Sequence, residues 1–288
     1  MSTPQPVVVQ HDGLRHVALD WGGVGEALVL LHPNGLCAGF FDPLARRLTD
    51  TYRVIGIDLR GHGGSEPPPD RAGLQYGPMA SDVVAVLDAL GIDACSAVGE
   101  SLGGGVAAVV DGLRPATIRR LVLCEGIAFD AHEFRGGVTP GEGGQGNFMA
   151  ELARARRAVW PDRESVRTRY AGRAPFDVVA PEALDAYVHW GFFDRADGQV
   201  ELACAPETEA AVFEVTSESG GAALAFDHLA ALAWRVSVLR GDASYLPEPW
   251  FQAQADAVDA PLQTIPGGHF FLQEDTARGE ALVRIALA

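Results

Sequence analysis

The chain has 288 residues, of which 48% are hydrophobic and 21% are charged, and its formal net charge is −16. A domain this acidic repels phosphate backbones and anionic lipids, so nucleic-acid binding and membrane-surface binding are not expected. The apolar content excludes a disordered chain, and no apolar run reaches the ~18–20 residues of a membrane-spanning helix. We expect a cytoplasmic globular protein, because residues 1–6 lack the basic and apolar features of a signal peptide.

The first 125 residues alternate short apolar runs with stretches of helical periodicity. Two runs around Asp12-Gly13 predict a hairpin, and Ser81 is the expected N-cap of a helix. Strands are predicted at 7–10, 16–21, 27–31, 54–59, 95–99, 118–125, 236–240 and 262–266, and helices at 40–48, 79–90, 102–113, 249–258 and 274–286. Because helices separate the strands, the predicted fold class is α/β with a doubly wound, mostly parallel sheet.

The segment at 127–230 has a different composition, and it carries 12 of the 23 aromatic residues. Six glycines at 136–146 exclude a helix or a central strand there, and helical patterns follow at 147–159 and 181–190. We interpret 127–230 as an all-helical cap inserted into a core domain made of 1–126 and 231–288. The alternative is an unrelated packing domain, and the glycine segment is either a mobile hinge or a surface loop.

One motif points to chemistry. Residues 99–103, GESLG, fit the pattern G-x-S-x-G between a predicted strand and a predicted helix. A serine on such a strained turn stands out at the end of the sheet, and the glycines let the strand and the helix approach closely. A shuffled chain of this composition would contain the pattern roughly 0.14 times, so the pattern alone is weak. Its position between strand and helix favours Ser101 as a nucleophile.

A serine nucleophile needs a base, and eight histidines are available. His269 follows the last predicted strand, which brings it to the same end of the sheet as Ser101. His32 and His62 also follow strands, but their neighbours indicate structural roles. His189 lies among aromatic residues, which is typical of a core or pocket wall. His269 is therefore the predicted base.

The acid that orients this base has two candidates, and in such a sheet it comes after the serine and before the histidine in the chain. Glu125 ends an apolar strand, where a carboxylate is tolerated only if it is paired or hydrogen-bonded. Asp242 follows the strand after the cap and could equally be a turn residue. The sequence favours Glu125 and leaves Asp242 open, whereas Glu100 is interpreted as a packing residue.

Four segments in this order resemble the cap-bearing branch of the α/β-hydrolase superfamily. They are residues 31–35 (LHPNG), 58–65 (DLRGHGGS), 99–104 (GESLGG) and 267–269 (GGH). The match covers nearly the whole chain, and it is specific for the fold and weak for the substrate. The resemblance gives His32 a structural role and makes 58–65 a motif that braces the neighbouring loops.

The resemblance also implies an oxyanion hole formed by two backbone N–H groups. One belongs to Leu102, and the other to the loop after the third strand. In the family that loop commonly reads His-Gly-x with x donating, so Asn34 is the matching donor. Pro33 replaces the glycine and removes an N–H group, which leaves Gly35 as an alternative donor.

The family pattern bears on the acid as well. Many members have Asp three residues after the glycine that follows the post-cap strand, and that position is Ser244 here. Members without this Asp, such as some haloalkane dehalogenases and the zearalenone-type lactonases, use a Glu at the end of the earlier strand, which falls on Glu125. The dehalogenases have Asp where this chain has Ser101, so halide displacement is not expected.

Together these residues predict a serine hydrolase that cleaves a carboxylic ester or lactone through an acyl-enzyme, with no metal or organic cofactor. The aromatic cap predicts a hydrophobic small-molecule substrate as the partner; a homodimer stays open. Alternatives are amide, peptide or carbon–carbon bond hydrolysis, or a non-catalytic small-molecule receptor. A solvated helix face is favoured over a substrate-carboxylate site for seven cap arginines: Arg154, Arg156, Arg157, Arg163, Arg167, Arg169 and Arg173.

Overall fold

A computed structural model describes residues 3–130, 147–233 and 235–288, so the predicted glycine segment at 136–146 lies outside the described residues. An eight-stranded sheet forms the centre of the fold. Its strands are β1 (Gln5–His11), β2 (Leu14–Gly22), β3 (Ala27–Leu31), β4 (Arg53–Ile57), β5 (Cys95–Glu100), β6 (Ile118–Cys124), β10 (Val236–Gly241) and β11 (Leu262–Ile265). Three short strands lie outside this sheet: β7 (Val159–Trp160), β8 (Phe192–Asp194) and β9 (Val200–Leu202).

The order of the strands sets the location of the site. The order in the sheet is β1-β2-β4-β3-β5-β6-β10-β11, and only the β1–β2 and β2–β4 pairs are antiparallel. From β3 the chain proceeds outward to β4, and from β5 it proceeds in the opposite direction through β6, β10 and β11. In open α/β sheets, ligands bind beyond the carboxyl ends of the strands at such a reversal of strand order. That position is occupied here by the segments that follow β3 and β5.

Helices cover both faces of the sheet, as a doubly wound fold requires. They are α1 (Asp42–Leu48), α2 (Tyr76–Ala89), α3 (Leu102–Leu113), α4 (Phe148–Arg154), α5 (Arg163–Ala171), α6 (Pro181–Trp190), α7 (Pro206–Thr216), α8 (Ala222–Leu229), α9 (Glu248–Ala257), α10 (Phe271–Glu274) and α11 (Thr276–Leu287). One hydrophobic core lies between the sheet and α2, α3, α8 and α9. A second core lies on the opposite face, against α1, α10 and α11. The predicted α/β class and the mostly parallel sheet are confirmed.

The described part of 127–230, the segment called the cap below, contains strands as well as helices and so differs from the all-helical expectation. Strands β7, β9 and β8 form a small antiparallel sheet beside helices α4 to α7. Each of these strands has only two or three residues, too few to produce a periodic pattern in the sequence. Many cap aromatics, among them Tyr170, Tyr187 and Phe192, pack into a core with Phe40 and Phe270 of the main domain.

The N-cap prediction for α2 is wrong. The helix begins at Tyr76, so Ser81 lies inside it, and the Ser81 hydroxyl is 3.0 Å from Nε2 of His11. Pro78 occupies the first turn, where the missing N–H of a proline has no helical partner to lose. Within the described ranges, no helix has the length and apolar character needed to cross a membrane.

Candidate active site

Ser101 occupies a strained turn between β5 and α3. Its backbone φ is 53° and ψ is −120°, values that non-glycine residues rarely adopt. Two backbone hydrogen bonds hold the turn: the Ser101 N–H donates to the carbonyl of Cys124 (3.0 Å), and the Ser101 carbonyl accepts from the N–H of Ile127 (2.9 Å). The serine is therefore tied directly to the segment that follows β6.

The glycines of the motif are explained by close backbone contacts. A Cβ on Gly103 would lie 2.1 Å from the carbonyl oxygen of Leu31, and a Cβ on Gly99 would lie 2.4 Å from Cα of Gly104. Neither position has room for a side chain. Strand β5, helix α3 and the end of β3 consequently approach one another closely at the serine turn.

His269 and Glu125, which are 144 residues apart in sequence, form a buried hydrogen bond. Nδ1 of His269 is 2.8 Å from Oε2 of Glu125, and both side chains are almost entirely buried. Since a carboxylate oxygen accepts, Nδ1 carries the proton and Nε2 is left with a lone pair. This is the tautomer in which Nε2 can accept a proton from a nucleophile.

Three hydrogen bonds hold the carboxylate of Glu125. The backbone N–H of Gly241 donates to Oε1 (2.8 Å), and the hydroxyl of Ser244 donates to Oε2 (2.6 Å), the same oxygen that His269 contacts. Hydrogen bonds from three donors compensate for the burial of this carboxyl group. Ser244, the position at which the family resemblance places an Asp in many members, is thus a hydrogen-bond donor to the carboxyl group of Glu125.

The other two acids lie elsewhere. Asp242 is exposed, and its Oδ1 accepts from the N–H of Gly267 (2.9 Å), which is the contact of a turn residue. Glu100 is fully buried, and its Oε2 accepts from Nε2 of Gln273 (2.8 Å). Burial raises the pKa of the Glu100 carboxyl well above its usual range. Of these three carboxyl groups, only that of Glu125 is hydrogen-bonded to His269.

Ser101 follows β5 and His269 follows β11, and both residues are buried, with 8% and 7% of their surfaces exposed. The structure brings His269 and Glu125 together, whereas no hydrogen bond between Ser101 and His269 is formed among the described residues. In ligand-free enzymes, hydrogen bonds of this kind are often long and shorten only when substrate binds.

The loop after β3 forms a tight turn next to the serine. The N–H of Leu36 donates to the carbonyl of Pro33 (3.3 Å), and Gly35 has a φ of 74°, as in a type II turn. The side chain of Asn34 is already engaged: its Oδ1 lies 3.1 Å from Nε2 of His62, and its Nδ2 donates to the backbone carbonyl of Glu209. Both polar groups of the Asn34 side chain are therefore engaged within the protein.

Leu102 is the first residue of α3, and the N–H groups of a first helical turn have no partner within the helix. Leu102 follows β5 and the 33–36 turn follows β3. These two strands are neighbours, since Leu31 of β3 pairs with Gly99 of β5. Leu102 and the 33–36 turn therefore place backbone N–H groups at the ends of two adjacent strands, β5 and β3.

The other histidines that follow strands have structural contacts. Nε2 of His32 accepts from the N–H of Leu59 (3.0 Å), and its Nδ1 donates to the carbonyl of Pro33 (2.8 Å). Burial lowers the pKa of His32 to about 3 and that of His62 to about 4, so both rings are neutral. His189 is exposed and packs edge-on against Trp190, away from the buried core.

An aromatic surface lies near His269. The ring of Tyr245 is 5.3 Å from the His269 ring and is 62% exposed, while Phe129 stacks on Trp250 at 4.6 Å. Tyr245 was not among the predicted site residues, because the amino-acid composition places the aromatic surface in 127–230. The contact between the Gly35 carbonyl and Tyr187 of the cap was not predicted either, because no sequence motif indicates it.

Comparison with known proteins gives one family and many structural neighbours. A sequence model described as the alpha/beta hydrolase fold matches residues 26–189. The dihydrolipoyllysine-residue acetyltransferase component of an acetoin cleaving system, from Cupriavidus necator, is 37% identical over 122 residues, which are 41% of this chain and 31% of that protein. The chain thus spans less than half the length of this relative.

Two solved structures resemble the whole chain. E-2-(acetamidomethylene)succinate hydrolase has a TM-score of 0.78 at 18% identity and covers 99% of both chains. Est816, described as an N-acyl homoserine lactone degrading enzyme, has a TM-score of 0.70 at 24% identity and covers 96% of this chain and 99% of its own. At these identities, the similarity is evidence for the fold alone.

Proposed function

Because the chain belongs to the α/β hydrolase fold family, we propose that Ser101, His269 and Glu125 are the catalytic triad of a serine hydrolase that acts on a hydrophobic carboxylic ester or lactone. The observation that carries the proposal is the 2.8 Å hydrogen bond between Nδ1 of His269 and Glu125, at the sheet edge where the strained Ser101 turn lies. No metal or organic cofactor enters the proposed reaction.

In the proposed reaction, Oγ of Ser101 attacks the carbonyl carbon while Nε2 of His269 takes its proton. Glu125 keeps the proton of the neutral ring on Nδ1 and stabilises the imidazolium that forms. The imidazolium then gives its proton to the leaving oxygen, and an acyl-enzyme remains on Ser101. A water molecule repeats the attack with His269 as base, which releases the acid and restores the serine.

The negative charge on the carbonyl oxygen develops during both attacks. We assign its stabilisation to the backbone N–H of Leu102 and to that of Asn34, with Gly35 as the alternative donor in the same turn. Removing one donor of this kind typically lowers kcat by ~10²–10³. The two donors come from opposite sides of the strand-order reversal, so the proposed oxyanion site is a product of the sheet topology.

The choice of a hydrophobic substrate is supported by aromatic surface outside the cap core. Tyr245 borders His269 with most of its ring exposed, and the Phe129–Trp250 stack belongs to the segments after β6 and β10. Apolar walls bind substrates by burial and offer few polar contacts. A small apolar molecule, rather than a nucleic acid or a membrane, is therefore the proposed partner.

The proposal is tested with p-nitrophenyl butyrate and a fluorophosphonate probe. We expect a burst of p-nitrophenol followed by steady turnover, and covalent labelling of Ser101. Ser101→Ala should lose both signals while its thermal unfolding is unchanged within a few degrees. Turnover that persists in Ser101→Ala would disprove the nucleophile. Saturable ester binding with neither burst nor labelling would instead indicate the receptor alternative.

The bond type is tested with an ester, a lactone and an amide that share one acyl group. We expect kcat/KM for the ester or the lactone to exceed that for the amide by at least about 10²-fold, since an amine leaves less readily than an alcohol. Lactones are included because Est816 has a similar fold. Preferred cleavage of the amide, or of a β-diketone at a carbon–carbon bond, would replace the proposed substrate class while keeping the triad.

A further inference from the structure

Arg156 does not lie on a solvated helix face, in contrast to the interpretation favoured for the cap arginines. Its side chain is 19% exposed and forms an ion pair with Glu209, which is 10% exposed. The same guanidinium donates to the hydroxyls of Tyr170 (3.2 Å) and Tyr187 (2.9 Å). A buried guanidinium with this many partners is fixed in one position.

This cap cluster contacts the turn that carries a proposed oxyanion donor. The carbonyl of Gly35 accepts from the hydroxyl of Tyr187 (3.2 Å) and from Arg156 (3.4 Å). The backbone carbonyl of Glu209 accepts from the side chain of Asn34 (3.0 Å). Two consecutive turn residues, Asn34 and Gly35, are thus held by three residues of the cap.

The geometry of the turn makes these contacts consequential. The central peptide of a four-residue turn has two orientations, type I and type II, which point its N–H group in opposite directions. Gly35 has the positive φ of type II, and the hydrogen bonds to its carbonyl restrain the peptide that follows. Loss of these bonds would free the peptides of the 33–36 turn to change the direction of their N–H groups.

We propose that Arg156 is a positioning residue that, together with Tyr187 and Glu209, holds residues 33–36 in the conformation that binds the oxyanion. This inference rests on the proposed hydrolase function. It makes the cap part of the catalytic scaffold as well as a wall of the substrate site. It also differs from binding of a substrate carboxylate by Arg156, because four of the guanidinium contacts are made within the protein.

Two variants test the role without leaving a buried charge unpaired. Arg156→Met with Glu209→Gln removes both charges, and Tyr187→Phe removes one hydroxyl while it keeps the aromatic packing. Since a misplaced donor costs nearly as much as a missing one, we expect kcat to fall about 10–100-fold in the double variant and about 3–10-fold in Tyr187→Phe. KM should change less than about threefold, because the ground-state substrate is bound elsewhere.

Arg154→Met is the matched control. Arg154 also lies in the cap, but it pairs with Glu207 and Glu214 at a partly exposed position. Its replacement by Met should therefore leave kcat and KM unchanged. A boronic acid that mimics the tetrahedral intermediate gives a second readout, because its Ki should rise by the same factor as kcat/KM falls. If Arg156 had only a structural role, the variants would have a lower melting temperature, but the rise in Ki would not match the fall in kcat/KM.

Hydrogen exchange of the 32–41 peptide measures the turn directly and needs no turnover. Faster exchange there in both test variants, and not in Arg154→Met, supports the inference. Unchanged exchange, or a raised KM for anionic esters with kcat unaltered, overturns it. If the wild-type protein shows neither burst nor labelling, the proposed hydrolase fails, while the exchange experiment still decides whether Arg156 holds the turn.

Discussion

Replacing Glu125 by Gln changes one carboxylate into an amide of nearly the same shape, and the surrounding hydrogen bonds determine how that amide is oriented. The N–H of Gly241 donates to Oε1, so the amide oxygen must occupy that position. The amide NH₂ then faces the hydroxyl of Ser244 and Nδ1 of His269. The hydroxyl can rotate to accept, but Nδ1 must lose its proton to accept as well.

The consequence is a reversed histidine tautomer. With Nδ1 as an acceptor, the proton of the neutral ring moves to Nε2, which can then no longer take the proton of Ser101. The variant also loses the attraction between a carboxylate and the imidazolium of His269. At the 2.8 Å contact, and with an effective dielectric constant of about 20, this attraction is about 6 kcal/mol.

Each 1.36 kcal/mol corresponds to a tenfold change in rate, so loss of the full attraction would by itself lower kcat by about 10⁴-fold. Because the amide retains the hydrogen bond to Gly241, we expect kcat to fall about 10³–10⁴-fold, as in a serine protease whose triad Asp becomes Asn. The measurement is steady-state hydrolysis of p-nitrophenyl butyrate, with circular dichroism to establish that the fold is intact.

Asp242→Asn is the control for this experiment. The new amide oxygen still accepts from the N–H of Gly267, and the residue is exposed, so kcat should stay within about threefold of the wild type. A folded Glu125→Gln enzyme with kcat within tenfold of the wild type would refute the reasoning. A large loss in Asp242→Asn instead would identify Asp242 as the acid.

Three further outcomes are expected. Gly103→Ala should destabilise the fold by about 3 kcal/mol in urea unfolding, because its Cβ would lie 2.1 Å from a backbone oxygen of β3; Gly172→Ala, with open space around it, should not. Burial lowers the pKa of His32 to about 3 in the folded state, so its contribution to stability is complete above pH 6.5 and is lost as the pH falls toward 3. Between pH 6 and pH 4, the free energy of unfolding measured in urea should fall less steeply with decreasing pH in His32→Gln than in the wild type, by about 1.4 kcal/mol per pH unit. Equal slopes in the two proteins would contradict this assignment. The carboxyl group can be moved to position 244, because Oγ of Ser244 lies 2.6 Å from Oε2 of Glu125. The double variant Glu125→Gly/Ser244→Asp should have a kcat at least tenfold higher than that of Glu125→Gly alone. An unchanged kcat would show that the geometry at 244 is unsuitable.

Local patterns carried much of the fold. The apolar run at 27–31 and the helical pattern at 102–113 coincide with β3 and α3, because buried strands and helices impose their own periodicities. The beginning of α2 was not predicted correctly. Ser81 has the side chain of a typical N-cap, but the helix already begins at Tyr76. Helix ends depend on a few local hydrogen bonds, which competing residues can supply equally well.

The short cap strands and the arginine cluster had no usable sequence signal. Two- and three-residue strands are stabilised by their neighbours, and a buried arginine looks like an exposed one until Glu209 is seen beside it. The aromatic surface was likewise misplaced, because composition alone does not say which rings pack together and which, like Tyr245, stay exposed.

The amino-acid order by itself determined the parallel sheet, the serine turn and the set of candidate partners, since these depend on periodicity and on glycines at fixed spacing. Which carboxylate reaches His269 was decided only by the tertiary structure. Glu125 and Asp242 both follow strands that end at one edge of the sheet, and a difference of a few ångströms separates a partner from a turn residue. That distance depends on how β6, β10 and β11 pack side by side, and no stretch of sequence encodes it alone.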